Sequence, residues 1–181
     1  MTDKRDDFVI RLSNIAFGNH KYSMVCDKAF FELTGLTEVE EGSIKVQIEM
    51  EKSEKMLSLH FHFNGEITVI CDRCLEFLTL PIDFTDFLVI NLVSHIDETF
   101  ENDENIWQLH EKVYEVELTH FLYEAIELAL PHQFVHPDDE NGNPTCNPEM
   151  LQKLAELAPK PHETTETDPR WNTLKELKIE N

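Results

Sequence analysis

The chain has 181 residues, 41% of them hydrophobic and 12 of them phenylalanine, enough for one domain with a buried core plus an appended tail; its 5 glycines argue against a fold built on many tight backbone approaches. A formal net charge of -21, -7 over residues 1–90 (9 basic against 16 acidic) and -14 over residues 91–181 (6 against 20), sets it against bare RNA and anionic lipid and in favour of basic protein partners. The opening residues MTDKRDDFVIRL hold no signal-like apolar run, and no later stretch approaches the ~20 apolar residues that cross a bilayer, so a cytoplasmic protein with no membrane contact is expected.

In chain order, Phe8 to Leu12 and Lys21 to Val25 suggest two short strands, and Phe30, Phe31 and Leu33 a short helical piece. From Ser43 the pattern sharpens: Ile44, Val46, Ile48 and Met50 alternate with polar residues, the mark of a strand with one buried face. A charged turn over Glu51 to Lys55 leads to a second alternating run through Leu57, Leu59, Phe61 and Phe63. This run stops at Asn64-Gly65, a dipeptide that suits a type I′ hairpin turn into Glu66 to Ile70. Phe77 to Asp86 and Phe87 to Leu92 follow as strand-like runs, with Pro81 marking an edge or a bend.

Residues 95–105, HIDETFENDEN, hold five acids without periodicity and are expected to form an exposed loop. Beyond them Leu118, Phe121, Leu122, Ala125, Ile126 and Ala129 fall at helical spacing, with Pro131 as a stop signal. The fold class is therefore α+β: an antiparallel β meander, a curved sheet or small barrel, with one main amphipathic helix packed on it. Residues 1–158 are expected to form a single domain. The tail 159–181 is expected to combine a mobile linker, PKPHETTET, with a short helix that Asp168 caps and Pro169 opens, carrying Trp171 and Leu174 on one side.

Cys71 and Cys74 form a C-x-x-C at a strand end and before a second strand. A thioredoxin-type redox pair instead opens a helix, where the helix dipole lowers the thiol pKa. The hairpin setting resembles a zinc knuckle, in which two turn cysteines supply half of a tetrahedral shell. His136 and Cys146 are the best candidates for the other half, with Cys26 and His132 in reserve. The plainer alternative is a pair of reduced thiols, a solvated His136 and a small core residue at Cys146, and two clear ligands out of four favour it. His60 and His62 share one strand face, which an exposed sheet surface explains without a ligand. A glycine-rich phosphate loop, G-x-S-x-G and H-E-x-x-H are all missing from the sequence, so the parts for nucleotide hydrolysis, acyl transfer and zincin chemistry are not there.

Three features together resemble the YceD-like family of large ribosomal RNA subunit accumulation proteins. They are Cys71-Asp72-Arg73-Cys74-Leu75-Glu76 after the predicted hairpin, the Leu130-Pro131 exit from a Glu-rich helix, and Asp168-Pro169-Arg170-Trp171 with Leu174 and Leu177. The resemblance covers most of the chain beyond Ser43 and implies a non-enzymatic role in accumulating 23S ribosomal RNA. Many relatives carry a second cysteine pair after the helix exit; His136 and Cys146 stand there instead, which changes the implied zinc set to Cys-Cys-His-Cys.

The resemblance and the charge together imply a large-subunit ribosomal protein or precursor ribosome as partner, with ribosomal RNA reached indirectly and no small-molecule substrate. Asp72, Arg73, Asp168, Arg170 and Trp171 are the candidate contacts. A thiol or metal-dependent enzyme built on Cys71 and Cys74, or an acidic interaction module unrelated to ribosomes, are the alternatives.

Overall fold

The computed structural model describes residues 7–96 and 105–158. The chain divides into two compact units, Met1–Cys146 and Asn147–Asn181. In the first, strands β1 (Val9–Arg11), β2 (Gly18–Asp27), β3 (Val39–Lys52), β4 (Met56–Ile70), β5 (Phe77–Val93), β6 (Ile106–His110) and β7 (Glu115–Glu117) are joined by helices α1 (Lys28–Thr34) and α2 (Thr119–Ala129). Helix α3 (Pro148–Leu157) lies in the second unit, begun by Asn147, whose side-chain oxygen accepts from the Glu149 and Met150 amides.

The five strands of the main sheet run in the order β2-β3-β4-β5-β6, and β1 pairs with β7 as a separate two-stranded ribbon. From β2 to β5 every neighbour is antiparallel, as a meander requires. β6 departs from that pattern by pairing parallel to Val89–Val93 of β5. The sheet is open, ending at β2 and β6, so the closed-barrel alternative does not hold. Three helices form among the described residues in place of one main helix. The tail predicted over 159–181 and most of the acidic loop lie outside the described residues.

Alternation places the core. Ile44, Val46, Ile48 and Met50 of β3, and Leu57, Leu59, Phe61, Phe63, Ile67 and Val69 of β4, are all buried on one face. α2 covers that face, with the Phe121 ring 4.7 Å from Phe61. The opposite face carries Lys21, Gln47, Glu49, His60, His62 and Thr85 in register, and His62 there lies 3.1 Å from Asp83. His60 is exposed on this face and His62 half-buried. Pro81 sits in the part of β5 that β6 does not reach, an edge as its missing N–H demands.

The hairpin expected at Asn64-Gly65 does not form; β4 runs straight through it. A two-residue turn there would have paired Phe63 with Glu66 and Phe61 with Thr68, turning polar side chains to the core and Ile67 and Val69 to solvent. The continuous strand keeps one parity from Leu57 to Val69 and buries both. Gly65 is needed for closeness rather than for turning: a Cβ built on it would stand 2.1 Å from the Ser43 carbonyl oxygen and 2.8 Å from the Ile44 Cα. Gly65→Ala is expected to destabilise the fold by about 2 kcal/mol, because backbone must move to admit the methyl. Urea unfolding of the two proteins checks it, and equal midpoints would contradict the close approach.

Candidate metal centre

Between β4 and β5 the chain turns within Cys71–Glu76. The Cys71 amide donates to the Glu76 carbonyl at 2.9 Å, and the Leu75 amide returns to the Cys71 carbonyl at 2.8 Å. Leu75 completes the turn at φ 63°, in the left-handed region. Both cysteine side chains are buried.

The segment after α2 is fastened to this turn by a reciprocal pair. The Asp72 amide donates to the Phe134 carbonyl, and the Phe134 amide donates to Asp72 Oδ2, each at 2.7 Å. His136 and Cys146, ten residues apart, are then brought together by a small loop. Asp138 bridges Pro144, Thr145 Oγ1 donates to the Pro137 carbonyl at 2.6 Å, and Asp139 Oδ1 accepts from the Asn141 and Asn143 amides. Gly142 at φ 80° closes the tip, in a conformation that costs glycine nothing. The backbone amide of Asn143, first among these donors, holds the Asp139 carboxyl below its ordinary range.

The outcome is one cluster: the ligand atoms of Cys71, Cys74, His136 and Cys146 all lie within 4.8 Å of one another. Cys71 Sγ is 3.7 Å from Cys146 Sγ, Cys74 Sγ is 3.4 Å from His136 Nδ1, and Cys146 Sγ is 3.7 Å from the same nitrogen. His136 Nε2 faces the Phe77 carbonyl at 3.2 Å, an acceptor only, so Nε2 carries the proton and Nδ1 turns its lone pair to the sulfurs. A backbone carbonyl orienting the far ring nitrogen is the usual support of a metal-binding histidine. Arg73 Nε donates to Cys146 Sγ at 3.0 Å, its Nη2 to the His136 carbonyl at 3.3 Å, and Asp138 lies 3.8 Å from the guanidinium.

Burial raises the Cys71 thiol, but the amides of Cys74, His136 and Arg73 outweigh it and bring its pKa down to about 6. Burial pushes Cys146 up, against the pull of Arg73. An unfolded Cys titrates near ~8.5, and a depressed folded value means that Cys71 contributes stability present above that pH and lost as pH falls through about 6. Thermal unfolding of chelator-treated protein is expected to show its midpoint rising across this window; a flat profile would contradict the assignment.

Both sequence candidates, His136 and Cys146, thus join Cys71 and Cys74. The two reserves do not: Cys26 is sealed in the core, where burial pushes its thiol to about 12, and His132 is outside the set. Of the reduced-thiol alternative, Cys146 is buried as that reading expects, whereas His136 is half-buried beside Cys74 and Cys146 instead of standing solvated. Asp72 and Arg73, candidate partner contacts, are engaged in holding the loop and the cluster. Asp168, Arg170 and Trp171 lie outside the described residues. Sequence reasoning missed Phe134 and the loop closed by Asp139, whose Asp-Glu-Asn-Gly-Asn run is a turn signature that would have made the His136 to Cys146 spacing legible.

Fold and site define a small α+β protein with a Cys-Cys-His-Cys cluster compatible with a bound metal ion. The chain belongs to the family of the large ribosomal RNA subunit accumulation protein YceD, whose family model matches residues 59–178. The matched span takes in the turn, α2 and all four cluster residues, and the family implies a role in accumulation of the large ribosomal RNA subunit. No curated protein and no solved structure matches the chain. No described helix is long and apolar enough to cross a membrane.

Proposed function

We propose that the protein supports large-subunit accumulation in the cytoplasm as a non-enzymatic factor, holding a basic large-subunit ribosomal protein while a structural zinc ion closes the Cys71–Cys74–His136–Cys146 cluster. The observation that carries this reading is the cluster geometry. Ligands about 2.3 Å from a tetrahedral zinc stand about 3.7 Å apart; three of the six separations, at 3.4 to 3.7 Å, fit that spacing, and all six lie within 4.8 Å. Three thiols and an imidazole fill a zinc shell and leave no open position for a substrate, the arrangement of a structural site. Zinc there would tie the β4–β5 turn to the segment after α2; the residues themselves supply orientation, through Phe77 and Arg73.

The charge of -21 supports a protein intermediary, since a surface so acidic is attracted to basic proteins and repelled by phosphates. Deleting the gene is expected to lower mature large subunits, and the protein is expected to sediment with large-subunit precursors on a sucrose gradient. Unchanged subunit profiles together with a protein found only among free soluble species would overturn the reading.

A second reading, a thiol enzyme, draws on the Cys71 value of about 6. It requires rapid alkylation of Cys71 alone in zinc-loaded protein. Equal protection of all three cluster cysteines, released together by a chelator, supports the structural role.

A further inference from the structure

Leu75 stands in a conformation that suits glycine. Its φ of 63° brings Cβ against the neighbouring carbonyl, a cost that Gly avoids and Asn lessens. The side chain returns nothing to the interior, being 68% exposed. Phe77, two residues on, is 70% exposed, and its partner across the ladder, Ile70, is 41% exposed on the same outer face. The tip of the β4–β5 hairpin therefore carries three large apolar side chains in water, next to the cluster that shapes it.

The rim of this tip is acidic. Asp72 and Glu76 flank Leu75 in the turn, and the loop that supplies His136 and Cys146 brings Asp138, Asp139 and Glu140, all exposed. Arg73, the sole Lys or Arg within residues 56–111, is turned to Cys146 and the His136 carbonyl and meets Asp138 of this rim at 3.8 Å, leaving the acids in excess.

We propose that Ile70, Leu75 and Phe77 form the docking tip for a basic amphipathic segment of a protein partner, whose apolar side chains cover the three residues while its Lys and Arg meet the acidic rim. An apolar centre within a charged rim is the usual anatomy of such a contact. RNA does not fit, because the rim repels phosphate, and a second copy does not fit, because it would bring the same acids. The inference rests on the proposed basic partner and adds the surface that receives it. It also accounts for the backbone strain at Leu75, which is retained where a side chain must be presented.

The test uses the full, zinc-loaded chain and RNA-free proteins extracted from large ribosomal subunits. A photo-crosslinking phenylalanine analogue placed at position Phe77 is expected to capture a basic protein, and the same analogue at Phe87, on the outer face ten residues along β5, is expected to capture none. Leu75→Asn is expected to melt no lower than wild type yet to weaken binding about tenfold, and Phe77→Ser to weaken it similarly. Wild-type binding that both variants retain in full, or a crosslink to another copy of the chain, would overturn the surface while leaving the basic partner standing. Wild-type protein that binds none of the extracted proteins would overturn the partner and the docking tip together.

Discussion

Replacing Cys146 with Ser is expected to abolish stoichiometric metal binding and to loosen the segment after α2 from the β4–β5 turn. A neutral hydroxyl is a poor zinc ligand, and the substitution also removes the sulfur that Arg73 addresses at 3.0 Å. Loss of an outer partner alone typically lowers metal affinity about 10–100-fold; loss of a ligand should exceed about a hundredfold. Because metal binding and local folding are one equilibrium at such a site, the Phe134 amide, held by Asp72 Oδ2 at 2.7 Å, should lose hydrogen-exchange protection. Cys26→Ala is the control: that thiol is buried apart from the cluster, so the variant should keep one metal ion per chain. Native mass spectrometry of the two variants reads both results, and a Cys146→Ser protein with full metal content would remove Cys146 from the set.

Phe61→Ala carries the largest expected loss of global stability, about 3–5 kcal/mol. Phe61 is 1% exposed, its ring 4.7 Å from Phe121 of α2 and 6.2 Å from Phe63, so truncation opens a cavity between sheet and helix. The thermal midpoint should fall by roughly 10 °C, while metal content below the transition stays unchanged, since the cluster lies beyond the far end of β4. A fall under about 1 kcal/mol would mean that α2 does not seal this face as described.

The long strands were legible because a period of two persists through β3, β4 and most of β5, and burial of one face enforces it. Where a local signal and that parity disagreed, at Asn64-Gly65, parity prevailed: the turn dipeptide offers a small local preference, whereas misplacing Ile67 and Val69 exposes two large side chains. The parallel pairing of β6 had no local signature, being a contact between segments separated by the acidic loop. α3 was signalled and passed over: Asn147 as cap and Pro148 at the first helical position stand plainly in the sequence.

At the cluster, the cysteine pair was legible from spacing, and the hairpin setting ruled against a helix-borne redox pair. His136 and Cys146 already stood ahead of His132 and Cys26 in the sequence, but the contact that brings them to the cysteine pair is tertiary, made chiefly by the Asp72–Phe134 pairing and the Asp139 loop. The exposed strain at Leu75 was invisible, because nothing in the letters C-D-R-C-L-E states that the fifth residue must turn left-handed.

Family membership implies a role in large-subunit accumulation, and the proposed direct contact is a basic protein rather than RNA. The most direct test is to present the purified, zinc-loaded chain at physiological salt with protein-free ribosomal RNA and, separately, with RNA-free large-subunit proteins. Binding to one or more basic proteins, weakened by added salt, with no measurable affinity for the RNA, is the expected result. Tight binding to naked ribosomal RNA without any ribosomal protein would contradict it.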